Sequence, residues 1–117
     1  FNCQVVSTKL TSYEGTQTTG KVREAMGLTA DVAGRRVIVV EDIVDSGNTI
    51  VELKEILASK GAAESRICTM LLKPEAYKKD VAIDYVGLEI PNDFIVGFGL
   101  DYDEYGRNFK DIYVLDE

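Results

Sequence analysis

The stretch that decides the fold is "VIVVEDIVDSGNT", residues 37–49. It begins inside "RVIVVE" (36–41), a continuous β-branched run that is typical of a strand buried on both faces of a parallel sheet. Three carboxylates follow at Glu41, Asp42 and Asp45. Ligands bind at the carboxyl ends of strands in open α/β sheets, so the stretch predicts a binding loop.

A helix is predicted directly after this loop. In "TIVELKEILASKG" (49–61) the apolar residues recur at helical spacing, at Ile50, Leu53, Ile56 and Leu57. Thr49 with Glu52 predicts a capping box, and Gly61 predicts the end of the helix. A second continuous strand follows in "RICTMLLK" (66–73), so the sequence predicts a strand–helix–strand unit with parallel strands.

The rest of the chain alternates between strand-like segments and turns. Residues 11–20 predict a loop and 31–35 a turn. Further strands are predicted at 3–10, 21–28 (a weaker strand or hairpin arm), 85–90, 94–100 and 112–115. We therefore expect an α/β fold in one domain over residues 1–117, with a mostly parallel twisted sheet and flanking helices.

Composition excludes several classes of protein. The net charge of −7 argues against a nucleic-acid partner, and no apolar run approaches the length of a membrane helix. The absence of histidine removes Ser-His-Asp triads and ordinary zinc sites. No signal peptide is expected, and Cys3 and Cys68 predict buried thiols in a reducing compartment, hence a cytoplasmic protein.

The predicted binding loop, residues 41–49, combines two kinds of chemistry. Residues 46–49, "SGNT", lead into a helix N-terminus, where unpaired N–H groups and hydroxyl donors favour a phosphate. The carboxylates accept hydrogen bonds only, which suits a sugar diol or Mg²⁺. Together they predict a ribose 5-phosphate site. The alternative is structural: Thr49 as a helix cap, Gly47 as a turn residue and the acids as a solvated rim.

The same stretch resembles the phosphoribosyl-pyrophosphate binding signature of the type I phosphoribosyltransferases. Further segments are similar to the hypoxanthine-guanine branch of that family: "LTSYEGTQTTGKV" (10–22), "LLKPE" (71–75), "VGLEIPNDFIVGFGLDYDEYGRN" (86–108) and "IYVLDE" (112–117). The resemblance implies the type I fold, with 11–22 as a mobile catalytic loop, 36–61 binding phosphoribosyl pyrophosphate, and 85–117 binding the purine.

The resemblance implies a Mg²⁺-dependent purine salvage transferase. It would move the phosphoribosyl group from phosphoribosyl pyrophosphate to hypoxanthine or guanine, giving IMP or GMP and releasing pyrophosphate. The alternatives are a non-catalytic nucleotide-binding regulatory module, an inactive fragment of the transferase, and a transferase for orotate, uracil or adenine. The "LLKPE" and 86–108 segments count against the last of these.

Site residues follow from the matched motifs. Ribose and phosphate binding is implied for Glu41, Asp42, Ser46, Gly47, Asn48 and Thr49. Purine binding is implied for Lys73 (a donor to the 6-oxo group), Phe94 (stacking), Ile95 (backbone contact) and Asp101. Catalytic roles are implied for Asp45, Ser12, Tyr13 and Arg107, and Mg²⁺ binding for Glu41, Asp42 and Asp101.

The resemblance also sets expectations about partners. The sequence starts at Phe1, whereas the family has an earlier strand, a helix and a lysine-containing pyrophosphate loop. We therefore expect a domain incomplete at its N-terminus, because the segment is a separate chain, was lost, or is absent from the sequence given. The family implies a homodimer or homotetramer, with small-molecule ligands.

Overall fold

The computed structural model describes residues 2–12, 22–26 and 31–116. Within these ranges lie one helix and seven strands, in the order β1 (Lys9–Ser12), β2 (Val22–Met26), β3 (Arg36–Val44), α1 (Asn48–Ser59), β4 (Glu64–Leu72), β5 (Tyr85–Glu89), β6 (Ile95–Val96) and β7 (Tyr113–Val114). The described part of the chain holds no helix that is long and apolar enough to cross a membrane.

A three-stranded parallel sheet in the order β3-β4-β5 forms the centre of the fold. The β3–β4 register ends with Val44 opposite Leu72, and Leu72 also lies opposite Glu89 of β5. All three strands therefore end at the same edge of the sheet. The predicted strand–helix–strand unit is confirmed as β3-α1-β4.

Helix α1 is flanked by glycines at both ends. Gly47 is the N-cap, with φ 87°, and no side chain caps the helix, so the predicted capping box of Thr49 and Glu52 is wrong. Asn48 already opens the helix, which places both residues inside it. Gly61, with φ 83°, does end the helix: its N–H bonds the carbonyl of Ala58, and the next N–H bonds that of Leu57, as in a Schellman motif.

The core lies on one face of the sheet. Val44, Ile50, Ile67 and Leu72 form a buried cluster between the sheet and α1. Strand β3 alternates along its length rather than being buried on both faces, since Ile38 is 56 % and Val40 is 75 % exposed. The expectation of two covered faces is therefore wrong, because no described element packs over the second face.

The remaining strands are shorter than predicted. Residues 2–8 form no strand, and Cys3 is exposed, so the expected buried thiol there is wrong; Cys68, in β4, is partly buried. The hairpin arm is confirmed, because β1 pairs antiparallel with β2, from Lys9 opposite Met26 to Ser12 opposite Val22. Strands β6 and β7 form a second antiparallel pair of two residues each.

Candidate functional site

A cleft of about 160 Å³ lies at the carboxyl end of β3 and the N-terminus of α1. Its walls come from the predicted loop: Glu41, Ile43, Val44, Asp45, Ser46, Gly47, Asn48, Thr49 and Ile50. The structure therefore gathers the predicted phosphate residues 46–49 around one cavity, together with two of the three carboxylates. Asp42 is not part of its wall.

Gly47 shapes the phosphate end of the cleft. Its positive φ is easily reached only by glycine, and its carbonyl accepts the first helical bond, from the N–H of Val51 at 3.1 Å. In the described ranges no acceptor takes the N–H groups of Asn48, Thr49 or Ile50. These groups and the positive end of the helix dipole favour an anion at this end of the cleft.

The adjacent acids of β3 have different surroundings. Glu41 is partly buried, and burial, with the charge of Asp42 as a second cause, raises the pKa of its carboxyl above the ordinary value of 4.5. Asp42 is exposed, and its Oδ1 accepts the N–H of Ile43 at 2.7 Å. Successive residues of a strand point to opposite faces, which places only Glu41 against the cleft.

An ion pair joins the ends of the two central strands. Lys73 Nζ lies 3.3 Å from Asp45 Oδ2. Each is the first residue after its strand, and the parallel register sets Val44 opposite Leu72, so the next two residues are neighbours. The N–H of Lys73 extends the ladder by bonding Val44 O at 3.0 Å. The ammonium of Lys73, predicted to bind the base, therefore lies beside residues 46–49, the phosphate loop.

The predicted stacking residue is accessible. Phe94 is 51 % exposed, and its ring forms an edge-to-face contact with Tyr102 at a centroid distance of 5.8 Å. Ile95 is buried, and it pairs with Val114 in the β6–β7 ladder. Its side chain belongs to the packing of the fold, so only its backbone remains to contact a base.

Asp101 organises the loop that carries Arg107. Its Oδ2 accepts the N–H of Glu104 at 2.7 Å and lies 3.4 Å from Arg107 Nη2. Arg107 Nη1 also donates to the carbonyl of Gly99 at 3.3 Å. Asp103 and Glu104 both have positive φ, in a two-residue turn between Tyr102 and Tyr105 whose N–H and C=O groups bond each other. The guanidinium is thereby held against its own loop.

The described residues include no group of three His, Cys, Asp or Glu side chains placed to bind a metal ion. Glu41, Asp42 and Asp101 are therefore not assembled into one carboxylate cage. Mg²⁺ does not require such a cage, because it keeps several waters and is usually held by one or two carboxylates and the substrate's phosphates.

Only one of the two residues predicted to be catalytic in the mobile loop lies within the described residues. Ser12 ends β1, whereas Tyr13 lies outside the described residues, as do residues 14–21. One contact of the phosphate loop was missed by the sequence analysis: the ring of Tyr77 lies against Gly47. Tyr77 comes from an irregular segment after β4, where no periodicity marks a contact with residue 47.

The chain is similar to known proteins of one family. Residues 1–103 match the model of the phosphoribosyl transferase domain family. The chain is 47 % identical over 108 residues to the hypoxanthine-guanine phosphoribosyltransferase of Mycobacterium tuberculosis, covering 92 % of this chain and 54 % of that protein. It is 36 % identical to the enzyme of the same name from Aquifex aeolicus, covering 93 % and 62 %.

Solved structures of similar proteins share the fold. A hypoxanthine-guanine phosphoribosyltransferase from Bacillus anthracis matches with a TM-score of 0.84 at 41 % identity, covering 93 % of this chain and 65 % of that one. A hypoxanthine phosphoribosyltransferase from Staphylococcus aureus matches at 0.84 and 37 %, covering 93 % and 60 %. The chain spans about half the length of the curated relatives it matches. The domain match, the sequence identity and the shared fold together show that this chain belongs to the phosphoribosyltransferase family.

Proposed function

We propose that the protein transfers the 5-phosphoribosyl group from phosphoribosyl pyrophosphate to a ring nitrogen of hypoxanthine or guanine, in purine salvage. The products would be IMP or GMP and pyrophosphate. The observation that carries the proposal is the ion pair of Lys73 and Asp45 beside the N-terminus of α1. It puts a donor for a base carbonyl next to donors for a phosphate.

The phosphate end of the substrate would occupy the cleft at residues 46–49. The free N–H groups after Gly47 are hydrogen-bond donors, and the hydroxyls of Ser46 and Thr49 are exposed beside them. Backbone donors fixed by a helix need no reorganisation when the anion arrives. The carboxylate of Glu41, on the wall of the same cleft, is suited to accept from the ribose hydroxyls.

The base end would lie over Lys73, Asp45 and Phe94. An ammonium has donors only, so Lys73 matches the 6-oxo group of hypoxanthine or guanine and leaves the amino group of adenine without a partner. The carboxylate of Asp45, which is exposed, would accept the proton that the purine nitrogen loses as its bond to the ribose forms. Phe94 offers a ring face for stacking, and the backbone of Ile95 would contact the base edge.

The pyrophosphate end would involve the loop of Asp101 and Arg107. A guanidinium suits the oxygens of a phosphate in charge and geometry, and Arg107 would exchange its contact with Asp101 for that ligand. Asp101 and Glu41 would supply hard oxygen ligands for Mg²⁺, whereas the third predicted ligand, Asp42, is not part of the cleft wall. The ion would neutralise charge on the leaving pyrophosphate. We further propose a cytoplasmic location. We also propose a homodimer or homotetramer, whose mass light scattering would measure.

A transfer assay tests this function. The purified full protein is incubated with phosphoribosyl pyrophosphate, Mg²⁺ and each of hypoxanthine, guanine, xanthine and adenine, and the intact mass is measured on the same sample. We expect turnover with the 6-oxopurines and none with adenine. An Asp45→Asn variant, prepared identically, controls for transferase carried over from the expression host. Adenine as the preferred base, or equal turnover by the variant, would refute the proposal.

A further inference from the structure

The ring of Tyr77 occupies the space beside the helix cap. A Cβ built on Gly47 would lie 2.3 Å from Tyr77 Cε1, 2.6 Å from Cδ1 and 3.0 Å from Cγ of Lys79. Gly47 is buried although its neighbours Ser46 and Asn48 are exposed. Tyr77 and the stem of Lys79 therefore lie against the backbone of Gly47, and neither residue lines the cleft.

Tyr77 is held at both of its ends. Its N–H donates to the carbonyl of Lys73 at 3.1 Å, and its hydroxyl donates to the carbonyl of Val81. The ring also packs against the buried cluster that contains Val44 and Ile50, the residues on either side of the phosphate loop. These contacts fix the ring, so it acts as a rigid wall for the loop.

Among the described residues, the side chains found beside Gly47 are those of Tyr77 and Lys79. No side chain caps α1, and Gly47 adopts a left-handed conformation. An unrestrained glycine populates this conformation along with many other backbone conformations. Without a wall, the loop would lose conformational freedom each time it bound an anion, which weakens binding. We infer that Tyr77 is a positioning residue, which holds Gly47 and the N–H groups after it in the geometry that binds the 5-phosphate. This inference rests on the proposed function.

A comparison of nucleotide with nucleoside isolates this role. The dissociation constants of IMP and inosine are measured by calorimetry for the full protein and for Tyr77→Ala, Tyr77→Leu and Tyr77→Phe. Tyr85→Ala is the matched control, because Tyr85 also has a hydrogen-bonded hydroxyl, to Arg66 at 2.9 Å, but lies on β5 away from the loop. Circular dichroism establishes which variants fold, and Tyr77→Leu serves if Tyr77→Ala does not.

We expect Tyr77→Ala to weaken IMP by about tenfold or more, the effect of losing one well-placed charged hydrogen bond. Inosine should change less than twofold, and Tyr77→Phe, which keeps the ring but loses the hydroxyl contact with Val81, should weaken IMP less than Tyr77→Ala does. In turnover, KM for phosphoribosyl pyrophosphate should rise more than kcat falls. Unchanged IMP affinity, or equal losses for IMP and inosine, would overturn the inference while leaving the proposed function standing. A parent protein that binds IMP no better than inosine would overturn both.

A second measurement tests the contact itself. Gly47→Ala puts a methyl group where the ring lies, and Tyr77→Ala opens that space. Combined, the two changes should weaken IMP less than the product of their separate effects, because the double variant no longer has the clash. Losses that multiply would show that the two residues act independently and would contradict the inference.

Discussion

Lys73 and Asp45 form an asymmetric ion pair. The side chain of Lys73 is 9 % exposed, whereas that of Asp45 is 59 % exposed, and Nζ lies 3.3 Å from Oδ2. The ammonium of Lys73 is therefore largely shielded from water, whereas the carboxylate of Asp45 faces the solvent from which a ligand arrives. An ammonium has three donors, so Lys73 can keep Asp45 and still donate to a base carbonyl.

Replacing Lys73 by methionine should weaken the binding of 6-oxopurine nucleotides. We expect Lys73→Met to weaken GMP and IMP about 10- to 100-fold, since a hydrogen bond from a charged donor contributes about 1.5–3 kcal/mol. Ribose 5-phosphate, which has no base, should bind as before. Calorimetry measures all three, with Lys78→Met as the control on a neighbouring exposed lysine. Unchanged affinity for both nucleotides would remove Lys73 from the base site.

The two halves of the ion pair should differ in their effect on stability. Asp45→Ala leaves the buried ammonium of Lys73 without its partner, and we expect the free energy of unfolding to fall by about 1–3 kcal/mol. Lys73→Met leaves only an exposed carboxylate and should cost less. Urea denaturation measures both. A larger loss for Lys73→Met would mean that packing of the lysine stem, rather than its charge, stabilises this edge.

Phe94 should contribute to binding rather than to folding. Phe94→Ala removes a stacking surface, for which alanine substitutions in nucleic-acid systems cost about 1–3 kcal/mol per base. We expect a 5- to 100-fold loss of GMP affinity, an estimate obtained from that range. Phe109→Ala is the matched control, since that ring is 47 % exposed and also meets a tyrosine edge-on, at 5.6 Å. Equal losses of GMP affinity in both variants would argue against stacking on Phe94.

Glu41 should make stability depend on pH. Burial raises the pKa of its carboxyl, so the folded chain holds this proton more tightly than the unfolded chain. Its contribution to stability is therefore complete below about pH 4.5 and is lost as pH rises through the higher folded value. Glu41→Gln should gain stability over the parent as pH rises above that window.

Urea denaturation at pH 4 and pH 7 measures this gain. Glu55→Gln, on an exposed position of α1, controls for the loss of one negative charge from a chain of net charge −7. The gain of Glu41→Gln at pH 7 should exceed that of the control. A variant that is less stable than the parent at pH 7 would show that the ionised carboxylate is satisfied in the fold.

The local sequence predicted the part of the site formed by the single segment 45–49. The residues of 45–49 are contiguous, and parallel strand ends share an edge, so the proximity of Asp45 and Lys73 follows from the β3-α1-β4 unit. The contact of Tyr77 with Gly47 joins two irregular segments and has no periodic signal. The exposure of Val40 depends on what covers a face, which a β-branched run does not specify.

The backbone conformation of the turns between residues 97 and 105 could not be predicted from the sequence either. Phe98 and Glu104 adopt positive φ, a conformation that sequence patterns assign to glycine, asparagine or aspartate. The strand predicted at 94–100 shrinks to the two residues of β6 because the turn between Gly97 and Leu100 interrupts it. The strand predicted at 112–115 shrinks to the two residues of β7, which pair with those of β6. Hydrogen bonds to Asp101 and between Tyr102 and Tyr105 hold one of the turns, and no local pattern announces them.

The central claim is that one nucleotide spans the cleft, with its phosphate at α1 and its base at Lys73. A crystal structure of the full protein with GMP tests it most directly. We predict the phosphate within hydrogen-bond distance of the N–H groups of Asn48 and Thr49, the 6-oxo group within about 3.2 Å of Lys73 Nζ, and the purine against Phe94. A nucleotide bound in the opposite direction, or away from the N-terminus of α1, would contradict the account.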